Sequence, residues 1–145
     1  LACDLIIASE RASFALSEPR VGIAALAGGL HRLPRQIGLK QAMGLLLTGR
    51  SVDAQEAHRL GLVNEVVSHA DLLTAARRWA AQILACAPLS VRASKQAAMR
   101  GLEAAGLEAA ISGRYEQIGL MLQSEDLMEG ARAFAQKRKP AWKGR

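Results

Sequence analysis

A chain of 145 residues has room for one domain at most, and half of it is hydrophobic against 22% charged, which excludes a disordered tail. Aromatic residues make up only 3%, so alanine and leucine must fill any core, which favours close-packed helices over a sandwich. The net charge of +6 is local: Arg132, Lys137, Arg138, Lys139, Lys143 and Arg145 crowd into residues 131–145, and the remainder carries 13 bases against 13 acids, unlike a nucleic-acid binder with bases spread along a face.

Leu1 to Ala8 reads LACDLIIA, a short apolar run that predicts a buried strand, and Ala12, Phe14 and Leu16 alternate as a weaker second one. A domain rarely opens mid-strand, so the chain is expected to be the C-terminal part of something longer. Residues 19–29 form a loop punctuated by Gly22, Gly28 and Gly29, and Pro34 limits any following helix to short or kinked pieces. Residues 39–48 predict a helix closed by Gly49. Asp53 and Glu56 have the spacing of a capping box, opening a helix that stops at Gly61, and residues 62–67 are β-prone.

Beyond residue 67 the pattern is helical. Leu72, Leu73, Ala76, Trp79, Ala80, Ile83 and Leu84 make one apolar stripe. Pro88 breaks the chain, and Ser90 is a candidate cap for a helix running to about Arg100. Leu107, Ile111, Ile118 and Leu122 line a third helix, and Ser124 with Glu125 and Asp126 starts a fourth. Residues 1–67 therefore read as a strand-bearing core with its loop, and residues 68–145 as a helical module whose apolar faces call for other subunits.

The longest apolar stretches are interrupted, so no span of about 18 residues suits a membrane helix, and no basic, apolar leader is visible. Cys3 and Cys86 lack metal-ligand spacing and read as buried, reduced thiols of a cytoplasmic protein. His31, His58 and His69 share no spacing, so no metal site is expected, and Ser9 and Ser17 lack a nucleophile-elbow context.

Glu18 is the most informative titratable residue. It sits at a strand-to-loop junction beside the uncharged run of residues 21–29. A carboxylate walled by apolar side chains suits general acid–base work near neutrality, and a surface glutamate in a turn is the plainer reading. The glycines form neither a dinucleotide fingerprint nor a P-loop, and tight packing explains them as well. The basic tail is either a phosphate-neutralising cluster or a solvated end.

These segments together resemble the enoyl-CoA hydratase/isomerase, or crotonase, superfamily. The opening LACDLIIAS is similar to the family's A-x-x-C-D-x-x-x-A strand. Residues 14–22, FALSEPRVG, resemble its F-x-x-x-E-x-x-x-G motif, and Gly28, Gly29, Arg32, Leu33 and Pro34 its G-G-x-x-R-L-P. Residues 47–50 and 57–64 resemble L-T-G-x and A-x-x-x-G-L-V-N. Residues 124–140 resemble the closing S-x-D-x-x-E-G-x-x-A-F-x-x-K-R-x-P. The matches run in order over essentially the whole chain.

The resemblance implies an α/β fold: the C-terminal portion of a spiral of ββα turns, followed by a helical module that trimerises. It implies an enzyme acting on an acyl-CoA substrate, with no separate cofactor, as a trimer or dimer of trimers. Glu18 falls where the family's hydratases keep a glutamate that exchanges a proton at the α-carbon of the thioester, helped by a second glutamate. Lys137, with Phe134 beside it, falls where a basic residue approaches the CoA phosphates, and Gly22, Gly28 and Gly29 fall in the active-site loop. Ile118 stands where some members carry an aromatic near the adenine. Ser17 stands where proline is common, and Ala25 with Leu26 replaces a frequent Pro-Gly. The family's oxyanion-hole segments and second glutamate match nothing here, so a chain of these residues alone is expected to be inactive.

The leading expectation is hydration of a 2-enoyl-CoA in fatty-acid or related metabolism. Its alternatives are Δ3,Δ2-enoyl-CoA isomerisation or another crotonase-type lyase reaction. From other classes come a non-catalytic assembly subunit and a binding module using the basic tail.

Overall fold

Short strands and alanine-rich helices need close approach, and the core shows how it is met. The computed structural model describes residues 1–145, which divide into two units, Leu1–Arg78 and Trp79–Arg145.

In the first unit, β1 (Ile7–Ser9) pairs in parallel with β4 (Glu65–Val67), Ala8 facing Val66 in register. β2 (Ser13–Phe14) pairs antiparallel with β3 (Val52–Asp53), Phe14 opposite Val52. A parallel pair needs a long crossover. Here it carries α1 (Gly29–Ile37), α2 (Leu39–Thr48) and α3 (Ala54–Arg59). Ala42, Ala54 and Ala57 are fully buried with Leu33, Leu45, Val52 and Val63, so small side chains bring α2 and α3 onto the strands.

The first strand is shorter than residues 1–8 predict. The Ile6 N–H is taken by Asn64 Oδ1 and its carbonyl by the Asn64 N–H, so ladder pairing starts only at Ile7. Pro34 is inside α1, which runs nine residues, and Gly49 closes α2 in the left-handed region. Half of the expected capping box forms. Asp53 Oδ1 accepts the Glu56 N–H at 2.7 Å, but the Glu56 carboxylate turns to the Arg50 guanidinium.

The second unit holds the last turns of α4 (Leu72–Leu84), then α5 (Pro88–Gly101), α6 (Leu107–Ile111), α7 (Glu116–Leu122) and α8 (Glu125–Ala135). α5 starts at Pro88 with Ala87 before it, so Ser90 is not its cap: proline at the first helical position has no N–H to satisfy. The single helix expected over residues 107–122 is two. Gly113 interrupts it, and the Tyr115 hydroxyl donates to the Ala110 carbonyl at 2.6 Å, closing α6. The Gln96 side chain then accepts the Gln117 N–H at the start of α7. Ser124 caps α8 as expected, accepting the Leu127 N–H.

Both cysteines are exposed, contrary to the expectation of burial. Cys3 precedes the first ladder residue, and Cys86 follows the end of α4, its thiol donating to the Gln82 carbonyl. Neither position lies on a core-facing side of an element. No helix is long and apolar enough to cross a membrane.

Candidate active site

Glu18 opens a 3₁₀ turn, Glu18–Val21, and is half-buried. Pro19 fixes the backbone behind it. The turn closes through the Arg20 N–H to the Ser17 carbonyl at 3.0 Å and the Ile23 N–H to the Glu18 carbonyl at 3.2 Å. Its end at Gly22 has φ 82°, a left-handed conformation that a side chain would strain.

Two glycines let the rest of the unit grip this segment from either side. A Cβ on Gly29 would stand 2.9 Å from Ala25 Cβ and 3.1 Å from Leu16 Cδ2, so only glycine admits the chain just before Glu18. A Cβ on Gly49 would meet Arg20 Cγ at 3.1 Å, and Arg20 Nε donates to the Thr48 carbonyl at the end of α2. Arg20 and Gly49 are thus positioning residues that sequence reasoning missed. Gly49 reads locally as a helix cap, and nothing in the sequence reveals what crosses above it.

Past the turn, Val21, Ile23 and Leu26 are exposed while Ala25 is buried, so the loop that follows Glu18 presents apolar side chains to solvent. Gly28, at φ 97°, leads into α1. Glu18, Gly22, Gly28 and Gly29 therefore share one anchored loop. A separate cavity of about 320 Å³ in the same unit is lined by Leu1, Ile6, Phe14, Leu16, Val52 and Leu62. Glu18 is not part of that lining.

Ser9 is buried, and its hydroxyl lies 3.3 Å from His69 Nδ1 while accepting the Arg11 N–H. The structure therefore gives this serine a local turn role. His31 and His58 lie on α1 and α3.

The second unit carries Phe134 and Lys137 at the end of α8. Phe134 is 88% exposed. Lys137 has φ 52°, the one non-glycine residue in the left-handed region. Its N–H donates to the Phe134 carbonyl and the Arg138 N–H to the Ala133 carbonyl, the double closure of a Schellman motif, where glycine is usual. The tail is exposed to solvent but held in place. Arg138 pairs with Glu129, and Lys143 and Arg145 both pair with Glu125. Arg132, Lys137 and Lys139 remain outside these pairs. The Arg138 guanidinium, with the Ala141 N–H, pulls the Glu129 carboxyl down to about 2, and Lys143 and Arg145 lower Glu125. In the first unit Arg50 likewise lowers Glu56.

A half-buried glutamate on an anchored loop that also carries exposed apolar side chains is compatible with acid–base chemistry on an apolar substrate. Comparison with known proteins gives the family. The pattern of the enoyl-CoA hydratase/isomerase family matches residues 1–145, and the chain belongs to that family. It is 44% identical over 148 residues to the carnitinyl-CoA dehydratase of Proteus mirabilis, covering 100% of this chain and 57% of that protein. The crystal structure of enoyl-CoA hydratase from Bacillus anthracis superposes with a TM-score of 0.94 at 38% identity, over 99% of this chain and 55% of that one. That of Mycobacterium tuberculosis gives 0.91 at 38%, over 100% and 57%. The fold is the crotonase fold, and the chain spans little more than half the length of the relatives it matches.

Proposed function

We propose that the chain serves an enoyl-CoA hydratase, adding water across the C2=C3 double bond of a 2-enoyl-CoA. The observation that carries this reading is the anchored, half-buried Glu18 on a loop that exposes Val21, Ile23 and Leu26. Hydroxide from water joins C3, and a proton is delivered at C2. Glu18 is the group that exchanges that proton, as one of two carboxylates, the second supplied from outside these 145 residues. Gly22, Gly28 and Gly29 allow the loop its path around the acyl group. Lys137, next to the exposed Phe134, contacts the phosphates of coenzyme A, which arrives as part of the substrate. The name of the Proteus mirabilis relative supports the same chemistry, since dehydration is hydration run backwards.

The exposed Leu102, Leu107, Ile111 and Leu122 of the second unit support assembly as a homo-oligomer, in trimers.

The test is turnover of crotonyl-CoA by the protein expressed from its native gene, beside its Glu18→Gln variant. Loss of the conjugated thioester absorbance with wild type, slowed at least about a hundredfold in the variant, is the expected result. Equal turnover by both sinks the role of Glu18. Conversion of a 3-enoyl-CoA to the conjugated isomer, without hydration, replaces hydratase by isomerase.

A further inference from the structure

Residues 138–145 have no helix or strand of their own, yet they are held along their length by Glu125, Asp126 and Glu129 in the first two turns of α8. The Glu129 carboxylate accepts the Ala141 N–H at 2.8 Å and both arms of the Arg138 guanidinium, at 2.6 and 2.9 Å. One turn back, the two oxygens of Asp126 accept the Lys143 N–H at 2.7 Å and the Gly144 N–H at 2.8 Å. The Glu125 N–H donates to the Arg145 carbonyl at 2.8 Å. The partners on α8 descend while those on the tail ascend, so the tail is a strap laid antiparallel along the helix. Trp142 packs on Gly130, where a Cβ would come within 3.4 Å of the indole, and its Nε1–H donates to the Ala85 carbonyl.

Asp126 is the buried member of this set, 2% exposed, with both carboxylate oxygens filled by strap N–H groups. A desolvated carboxylate with two backbone donors is a strong clasp, and its loss leaves two N–H groups orphaned. The strap begins at Lys137, whose left-handed backbone is unfavourable for a lysine. The Schellman closure reverses the chain there, and the segment beyond is held down on α8.

We propose that Asp126 is the latch of this strap and, through it, the positioning residue for Lys137: closing residues 138–145 onto α8 fixes the turn that aims the Lys137 ammonium at a phosphate-bearing ligand. This rests on the reading of Lys137 as a contact to the coenzyme A phosphates. An unlatched strap frees the backbone at Lys137 to leave the left-handed region, and the ammonium loses its fixed place.

The probe is coenzyme A itself, its Kd measured by calorimetry with the protein expressed from its native gene. Asp126→Asn, a variant ending at Ala141, Lys137→Ala and the Asp126→Asn/Lys137→Ala double variant are compared, each first shown by thermal melting to be folded. Each of the three single changes is expected to weaken coenzyme A binding about tenfold, and the double variant to be no weaker than Lys137→Ala within about twofold, because the two act on one contact. In turnover, Asp126→Asn raises KM for crotonyl-CoA in proportion and kcat far less. Weakened binding in Lys137→Ala, with wild-type affinity in Asp126→Asn and in the shortened chain, overturns the latch and leaves the Lys137 contact standing. Unchanged affinity in Lys137→Ala overturns that contact and the positioning role with it. Additive losses in the double variant, or a fall in kcat at constant KM, assign Asp126 to general structure and overturn the proposal.

Discussion

Lys137 sets the cost of one backbone angle against its proposed contact with coenzyme A. A lysine at φ 52° costs about 1 kcal/mol that glycine at the same position does not. Lys137→Gly should therefore raise the melting temperature, by roughly 1 kcal/mol of stability, while weakening coenzyme A binding. A variant that is less stable and binds normally would show that the lysine is retained for its packing. Glu18 presents the opposite case, since its own backbone is ordinary and its placement is borrowed from glycines 29 and 49. Its candidacy was legible from the strand–loop junction and the uncharged run after it. The grip of Leu16 and Arg20 was not, because it comes from residues 13 to 33 positions distant from the glycines they meet, and Gly49 looks locally like any helix end.

At the scale of elements, helix starts with a local hydrogen bond were readable in advance: Asp53 and Ser124 both accept the N–H three residues on. Readings that overlooked a competing neighbour failed. Ser90 is passed over because Pro88 already begins α5, and the helix over residues 107–122 is cut by Gly113 and the Tyr115 hydroxyl. The strap shows why the charged tail was hard to interpret. Its excess of bases falls within residues 131–145, while the acids that meet them, Glu125 and Glu129, lie just ahead on α8. Acid should loosen this clasp in a defined window. Glu129 has a folded pKa of about 2 against 4.5 for the free group, so its stabilisation is full above pH 4.5 and is lost as pH falls through about 2. Arg138 and Arg132 face it and stay charged throughout. In a Trp79→Phe background, Trp142 fluorescence should shift to the red across that window. The same shift in Glu129→Gln would remove Glu129 as its cause.

On the scale of the whole molecule, the exposed leucines and isoleucine of the second unit are the main unsatisfied feature. Burying Leu102, Leu107, Ile111 and Leu122 against other subunits would contribute on the order of 1.5–3 kcal/mol for each side chain fully covered. The native mass of the protein from its own gene is expected to be a multiple of three protomers, by light scattering across a dilution series. A monomer at all concentrations would remove the assembly reading. Composition, periodicity and cap signals by themselves determined an alanine-rich helical second half, a strand-bearing first part and a loop glutamate, because these depend on near neighbours in the chain. Tertiary structure alone decided that a parallel ladder begins at Ile7, that two glycines clamp the segment bearing Glu18, and that a buried Asp126 holds the tail against α8. Each of these joins groups far apart in sequence, or sets one local preference against a contact that only folding supplies.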